Sequence, residues 1–286
     1  MLKNRPGADV DQITKGNAMK YHKSIYRTLV ILIVLIIQAQ PSLSLESFLE
    51  LRPEGYVFGD YQNVFDAYTD EGITIEGWFY LNELPKNWTD RWVLIYRQDE
   101  YSVIARGPDP IWNLPDGSLG FSFSVQGCRN TAAITSKEQP LKRWIHFAYL
   151  VRGTGPVYKA FYIDGMNNGH GECGGGNGPK IYGHPFYVGG LSGISNGYYL
   201  SLKGYIDEIR ISKGWRYAVL DGENQIDPPR RFQVDEKTLA LWHFDEGLNA
   251  TKYRDSSGNG YTLYAGGSLS VESKSRITST WGMIKQ

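Results

Sequence analysis

Beyond Ser44 this chain of 286 residues contains no long segment with apolar residues at helical spacing. Short β-prone runs recur instead, at intervals near ten residues, parted by turn residues. Gly72–Leu81 is one such run, rich in Ile, Thr and aromatic residues. Arg91–Tyr96 and Tyr101–Ala105 have the form of a hairpin turning at Gln98–Glu100. Leu119, Phe121, Phe123 and Val125 alternate with Gly or Ser, as a half-buried strand requires. Trp144–Val151 is apolar on both faces, which predicts a central strand. Tyr158–Ile163 ends in Asp164-Gly165, a turn pair. Phe186–Val188, Tyr205–Ile211, Thr238–Phe244 and Tyr261–Tyr264 follow. About a dozen strands with no helices between them imply antiparallel pairing, hence an all-β fold built as a two-sheet sandwich or a barrel. Asn167–Gly178 reads as a glycine-rich loop, and Trp215–Arg231 as a long connection crossing the outside.

Residues 1–44 differ from the rest. Lys3, Arg5, Lys15, Lys20, Lys23 and Arg27 stand against Asp9 and Asp11, and nine unbroken aliphatic residues follow at Leu29–Ile37. A helix crossing a bilayer needs about 20 apolar residues, so this run is short for a span and fits a secretory signal. Ser42 and Ser44 place small residues at −3 and −1 of a cut after Ser44. Met19 would start a signal of ordinary length. The expected organisation is a signal peptide at 1–44, one domain at 45–267 and a C-terminal tail at 268–286. The rival for the leader is an uncleaved membrane anchor, the one route by which the chain would meet a membrane. The expected location is secreted, periplasmic or at the cell surface.

Removing the leader takes six basic and two acidic residues from totals of 30 and 30, leaving 24 against 28. A mildly acidic chain has no cationic surplus to neutralise phosphates, so nucleic acid is not an expected partner. Export also decides how Cys128 and Cys173 read. In an oxidising compartment two cysteines in one domain are expected to pair, and closing that loop would add roughly 4 kcal/mol. The rival is a metal site from His170, Glu172, Cys173 and His184, which lack regular ligand spacing.

Four blocks in order carry a resemblance: Ile73-Thr-Ile-Glu-Gly-Trp78; Trp144-Ile-His-Phe-Ala148 with Tyr162-Ile-Asp-Gly165; Val188-Gly-Gly190 with Lys203–Ile211; and Leu241-Trp-His-Phe-Asp-Glu246 with Asp255-Ser-Ser-Gly-Asn-Gly260. The set resembles the laminin-G-like, concanavalin A-like jelly-roll domains of bacterial and phage type, over roughly residues 50–265. It implies a two-sheet antiparallel jelly roll. The last block more often opens such a domain. Here it is expected to close the same sandwich, with a truncated second domain as the alternative. Trp78 and Trp144 are expected as core anchors between the sheets. Glu76, Asp207, Glu208 and Arg210 lie inside apolar strands and must be exposed, paired or metal-bound. Related jelly rolls hold one calcium ion, and Asp207 with Asp255 are its candidate ligands here, although one strand cannot supply six to eight oxygens.

Catalytic patterns are missing. No E-x-D-x-x-E strand of the related glucanases occurs, and no G-x-S-x-G elbow. Gly169–Gly174 matches G-x-G-x-x-G but opens no helix. His146 and His243 sit in apolar strands, where a hydrogen-bonded structural role is expected. Asp207 and Glu208 are adjacent and should point to opposite faces of a strand. No enzyme is therefore expected. Trp88 and Trp112 lie in loops between strands and suit stacking on sugar rings. The expected function is an exported, non-catalytic module that binds carbohydrate or an extracellular protein. The alternatives are an adhesion scaffold without a small ligand, and a glycan-active enzyme with an unfamiliar site.

Overall fold

This computed structural model describes residues 47–273 except 52, 68, 109–118, 126–131, 137–140, 174–181, 193–198, 219–224, 248 and 268, with backbone alone at 132–136, 199 and 269–273. The leader, Trp112 and Cys128 lie outside the described residues. Compactness divides the chain at Ser44/Leu45, and every described residue belongs to the second unit.

The described residues form seventeen strands and a single 3-10 turn, Asn63–Phe65. The first sheet runs β10 (Met166–Cys173), β9 (Val157–Ile163), β8 (Trp144–Arg152), β3 (Ile73–Leu81), β13 (Gly204–Lys213), β1 (Ser47–Leu51) and β17 (Leu269–Ser273), with β14 (Thr238–Trp242) also on β13. The second runs β15 (Lys252–Tyr253), β16 (Leu263–Gly266), β2 (Tyr56–Gly59), β11 (Phe186–Val188), β4 (Arg91–Arg97), β5 (Tyr101–Arg106), β6 (Leu119–Val125) and β7 (Ala132–Ser136). A short β12 (Tyr199–Ser201) lies parallel to β4, and every other pairing between strands is antiparallel. The all-β, two-sheet architecture agrees with the jelly-roll expectation.

Alternation explains the core. Ile73, Ile75, Phe79 and Leu81 of β3 point between the sheets, with Phe147, Tyr149 and Val151 of β8 and Phe121 and Phe123 of β6. Phe121 and Phe123 each pack on Phe161. The late strands join both sheets: β14 pairs β13 and β16 pairs β2. Leu269–Ser273, expected in the tail, is an edge strand on β1. Met166–Cys173, expected as loop, pairs with β9 from Ile163 back to Val157. Its glycines and polar residues hid the strand, because an edge strand needs few apolar contacts. Asp164-Gly165 makes the β9–β10 turn with both residues at positive φ.

The outside of the first sheet is also covered, and this corrects the placement of two tryptophans. Trp78 and Trp144 do not lie between the sheets. They face outward with Phe48, Tyr80 and Leu241, beneath Phe232 of the long connection. That connection crosses the sheet as expected. Trp215, Tyr217 and Ile226 pack on Ala148, Leu150, Ala160 and Tyr162. The Trp78 indole donates to the Pro229 carbonyl, and the Tyr162 hydroxyl to Ala218. A sheet covered on both faces needs strands apolar on both faces, which is why β3 and β8 read that way.

Candidate binding site

The second sheet carries its polar–apolar alternation outward as aromatic residues. In β2, Val57 and Gly59 are buried while Tyr56 and Phe58 are half-exposed. In β11, Phe186 and Val188 point inward and Tyr187 outward. Register then does the rest. Tyr96 of β4 lies opposite Tyr187, Tyr187 opposite Phe58, Phe58 opposite Tyr264 of β16, and Tyr264 opposite Lys252 of β15. Four half-buried aromatic side chains thus stand in one row across four adjacent strands, with a lysine at its end. At about 4.8 Å per strand the row from Tyr96 to Lys252 spans roughly 19 Å.

The rings lie side by side. Phe58 is 6.3 Å from Tyr187 and 6.0 Å from Tyr264, centroid to centroid. Tyr56, two residues back along β2, is 5.9 Å from Tyr187 and lies over Gly266, where any Cβ would strike its ring. The Lys252 ammonium sits 5.8 Å from the Tyr264 centroid. Burial, with Tyr56 beside it, raises the Tyr187 phenol above its ordinary range, so it stays neutral. Such a surface offers flat apolar area with hydroxyls at its edges, suited to stacking against rings that carry hydroxyl groups.

Trp88 is 45% exposed in the turn before β4, at the opposite end of that strand from Tyr96. It is available for contact but does not extend the row. The other candidates are placed as follows. Asp207 is buried in β13 opposite Trp78, and Asp255 is buried behind β14. The Asp255 carboxylate accepts hydrogen bonds from the backbone N–H groups of Leu241, Ser257 and Tyr261 and from the Ser257 hydroxyl. This is a donor set that satisfies an anion and does not fit calcium, which needs the same lone pairs. Among the described residues no three His, Cys, Asp or Glu side chains gather as a metal site. Cys173 packs against the main core.

The buried acids of the first sheet are structural. Glu76 faces Arg210 across β3 and β13, with guanidinium nitrogens at 2.8 Å. The Tyr217 hydroxyl donates to the other carboxylate oxygen. Burial alone would raise the Glu76 carboxyl. The His146 ring at 3.6 Å, Arg210 and Tyr217 outweigh it and hold it below the ordinary range. His146 is fully buried, edge-on to Trp78, with its Nε2 beside the Glu76 carboxylate, a structural placement in the sheet. His243 makes a hydrogen bond to Glu208. Asp207 and Glu208 do not take opposite faces either. A register shift between Asp207 and Arg210, with Glu208 at φ 55°, breaks the alternation. Both carboxylates act on Arg231 of the crossing segment.

The aromatic row escaped the sequence reading. Three of its members fell in strands that were recognised, at β4, β11 and β16, while β2, which carries Phe58, was not. Their adjacency depends on strand order, which no single strand encodes.

Comparison with known proteins supports the architecture. No curated protein sequence matches the chain significantly. Among solved structures, a Bacteroides ovatus protein to which carbohydrate binding is ascribed has a TM-score of 0.56 at 15% identity, over 80% of this chain. The chain spans 60% of that protein's length. The SAP-like heptameric pentraxin of Limulus polyphemus has a TM-score of 0.44 at 13% identity, covering 78% of this chain and 95% of the pentraxin. Domains LG4-5 of the mouse laminin α1 chain have a TM-score of 0.37 at 14% identity, covering 58% and 40%. A family model spans residues 58–218, more than half of the chain, so the protein belongs to the Laminin_G_3 family of the concanavalin A-like lectin/glucanases superfamily.

Proposed function

We propose that this module binds carbohydrate across the outer face of its second sheet. The observation that carries the reading is the row Tyr96, Tyr187, Phe58 and Tyr264, ordered by register and left half-exposed. Aromatic rings with hydroxyl edges offer stacking area at little entropic cost, since Tyr has only two side-chain torsions. The lectin-like fold agrees with this class of partner. A protein partner would use the same face, because Tyr is favoured at interfaces.

The module is non-catalytic in this reading. A glycosidase needs two carboxyl groups facing one substrate. Glu76 is sealed under the crossing segment and held by Arg210 and Tyr217, and Glu208 is held by His243 and the Phe232 N–H. The protein is exported by its leader, with a cut after Ser44 and a bridge between Cys128 and Cys173. The leader's charge pattern and short aliphatic run support export.

The test is titration calorimetry with neutral oligosaccharides on the wild-type domain and on Phe58→Ala. Binding that weakens at least tenfold in the variant, with the circular dichroism spectrum unchanged, is expected. Equal binding by both proteins, or none by either, overturns the assignment.

A further inference from the structure

Ion pairing leaves two cations over at one end of the aromatic row. Lys203, Lys213, Arg216 and Arg231 each meet a carboxylate at 2.6–2.8 Å. Lys252 and Arg254 meet none among the described residues. Both are exposed, while Tyr253 between them and Asp255 after them are buried. Lys252 lies on β15, the last strand of the second sheet, opposite Tyr264. Its ammonium stands 5.8 Å from the Tyr264 centroid, and that ring is 6.0 Å from Phe58. The contact fixes the direction of the side chain: the charge lies on the face that carries the row. Two acids lie close in the chain. Glu246 accepts the Arg254 backbone N–H at 2.7 Å, and Asp60, which follows β2, makes no ion pair with either cation.

We propose that the glycan is acidic: a pyranose stacked on Phe58 directs an anionic substituent, carboxylate or sulfate, to the Lys252 ammonium beside Tyr264, with Arg254 as the second cation. The proposal rests on carbohydrate binding at the aromatic row and names the sugar class it selects. The complementarity is one of charge. A neutral sugar leaves both cations to water, whereas an anion on the same ring pairs with them without giving up the stacking contact. The attraction has to be local. Beyond Ser44 the chain carries more acidic than basic residues, so the field of the whole molecule does not draw anions. A preference for an acidic sugar therefore reads contact with this end of the row.

Four tetrasaccharides share one β-1,4-linked glucose backbone and differ at C6 alone: cellotetraose with hydroxymethyl, its 6-carboxylate, the methyl ester of that acid, and its 6-O-sulfate. Calorimetry on the wild-type domain in low salt should show the two anions binding about fivefold tighter than the two neutral sugars, as expected of exposed charge pairs. Raising the ionic strength to about 1 M, where the Debye length is about 3 Å, should remove most of that advantage. Lys252→Gln/Arg254→Gln should bring the anion-to-cellotetraose affinity ratio to about one. Lys213→Gln/Lys237→Gln, which removes two charges beside β14, should leave the ratio as it is in the wild type. The tighter of the two anions then names the substituent as a uronate or a sulfate ester. Equal affinities for all four sugars, a preference surviving in Lys252→Gln/Arg254→Gln, or one lost equally in Lys213→Gln/Lys237→Gln would overturn the acidic-sugar assignment while leaving the aromatic row as a platform for neutral glycans. Absence of binding by all four would remove both readings together.

Discussion

Arg210 and Glu76 meet at 2.8 Å between neighbouring strands, both nearly excluded from solvent, at a point where the crossing segment closes over the first sheet. Arg210 also donates to the Gln233 carbonyl and lies over the Phe232 ring, so the pair anchors the segment as well as the sheet. Breaking a buried pair strands a charge and costs about 3–5 kcal/mol. Arg210→Met should therefore lower stability by about that amount in urea denaturation. The double variant Glu76→Leu/Arg210→Met should recover most of the loss. Because the Glu76 carboxyl is held below its ordinary value, its contribution is present above about pH 4.5 and is lost as pH falls.

Glu208 pins the same segment from the bulge. One carboxylate oxygen accepts from the Phe232 N–H and the other meets His243 at 2.8 Å. Glu208→Ala should cost about 2–3 kcal/mol, as expected for hydrogen bonds to a buried charge. Hydrogen exchange should quicken in residues 226–235 while β8 stays protected. Uniform loss of protection would show that the bulge serves the whole sheet.

Glu100 should make stability fall with rising pH. It shares Arg97 with Asp66, and burial pushes its carboxyl up to about 7, with Arg97 opposing and Asp66 adding to the rise. A carboxyl raised in the folded state favours folding fully below its unfolded value of 4.5, and this contribution is lost as pH rises toward 7. Comparison of thermal midpoints between pH 4.5 and 7.5 should show this decline in the wild type and a flatter profile in Glu100→Gln. Parallel profiles would place the titration elsewhere.

Asp255 should act without an ion. Its four accepted hydrogen bonds gather the loop that follows β14. Asp255→Ala should destabilise by about 2–4 kcal/mol, because several buried donors lose their partner. Addition of EDTA or of millimolar calcium should leave the wild-type thermal midpoint unchanged. A midpoint that rises with calcium would show that the ion displaces these donors.

The exported form should begin at Leu45 and carry no alkylatable thiol. Mass spectrometry of non-reduced secreted material reads both properties at once. Two modified cysteines would remove the bridge, and an N-terminus at Met1 or Met19 would show a retained leader.

Strand periodicity lies in the sequence because each side chain's burial follows from its own position along the strand. That made β3, β8, the β4–β5 hairpin and the packing of residues 215–218 and 225–231 on the outside of the first sheet legible, and the Glu76–Arg210 pair was foreseeable from two charges inside apolar runs. Three features were not legible because they depend on what lies across space. Trp78 and Trp144 share the alternation of a strand with two covered faces, so only the crossing segment decides which face they take. The bulge at Asp207–Glu208 needs one extra residue against β3, which appears only when the partner strand is in place. The row Tyr96, Tyr187, Phe58 and Tyr264 comes from four separate stretches of chain. Each supplies an outward aromatic, and sheet order alone brings them into line.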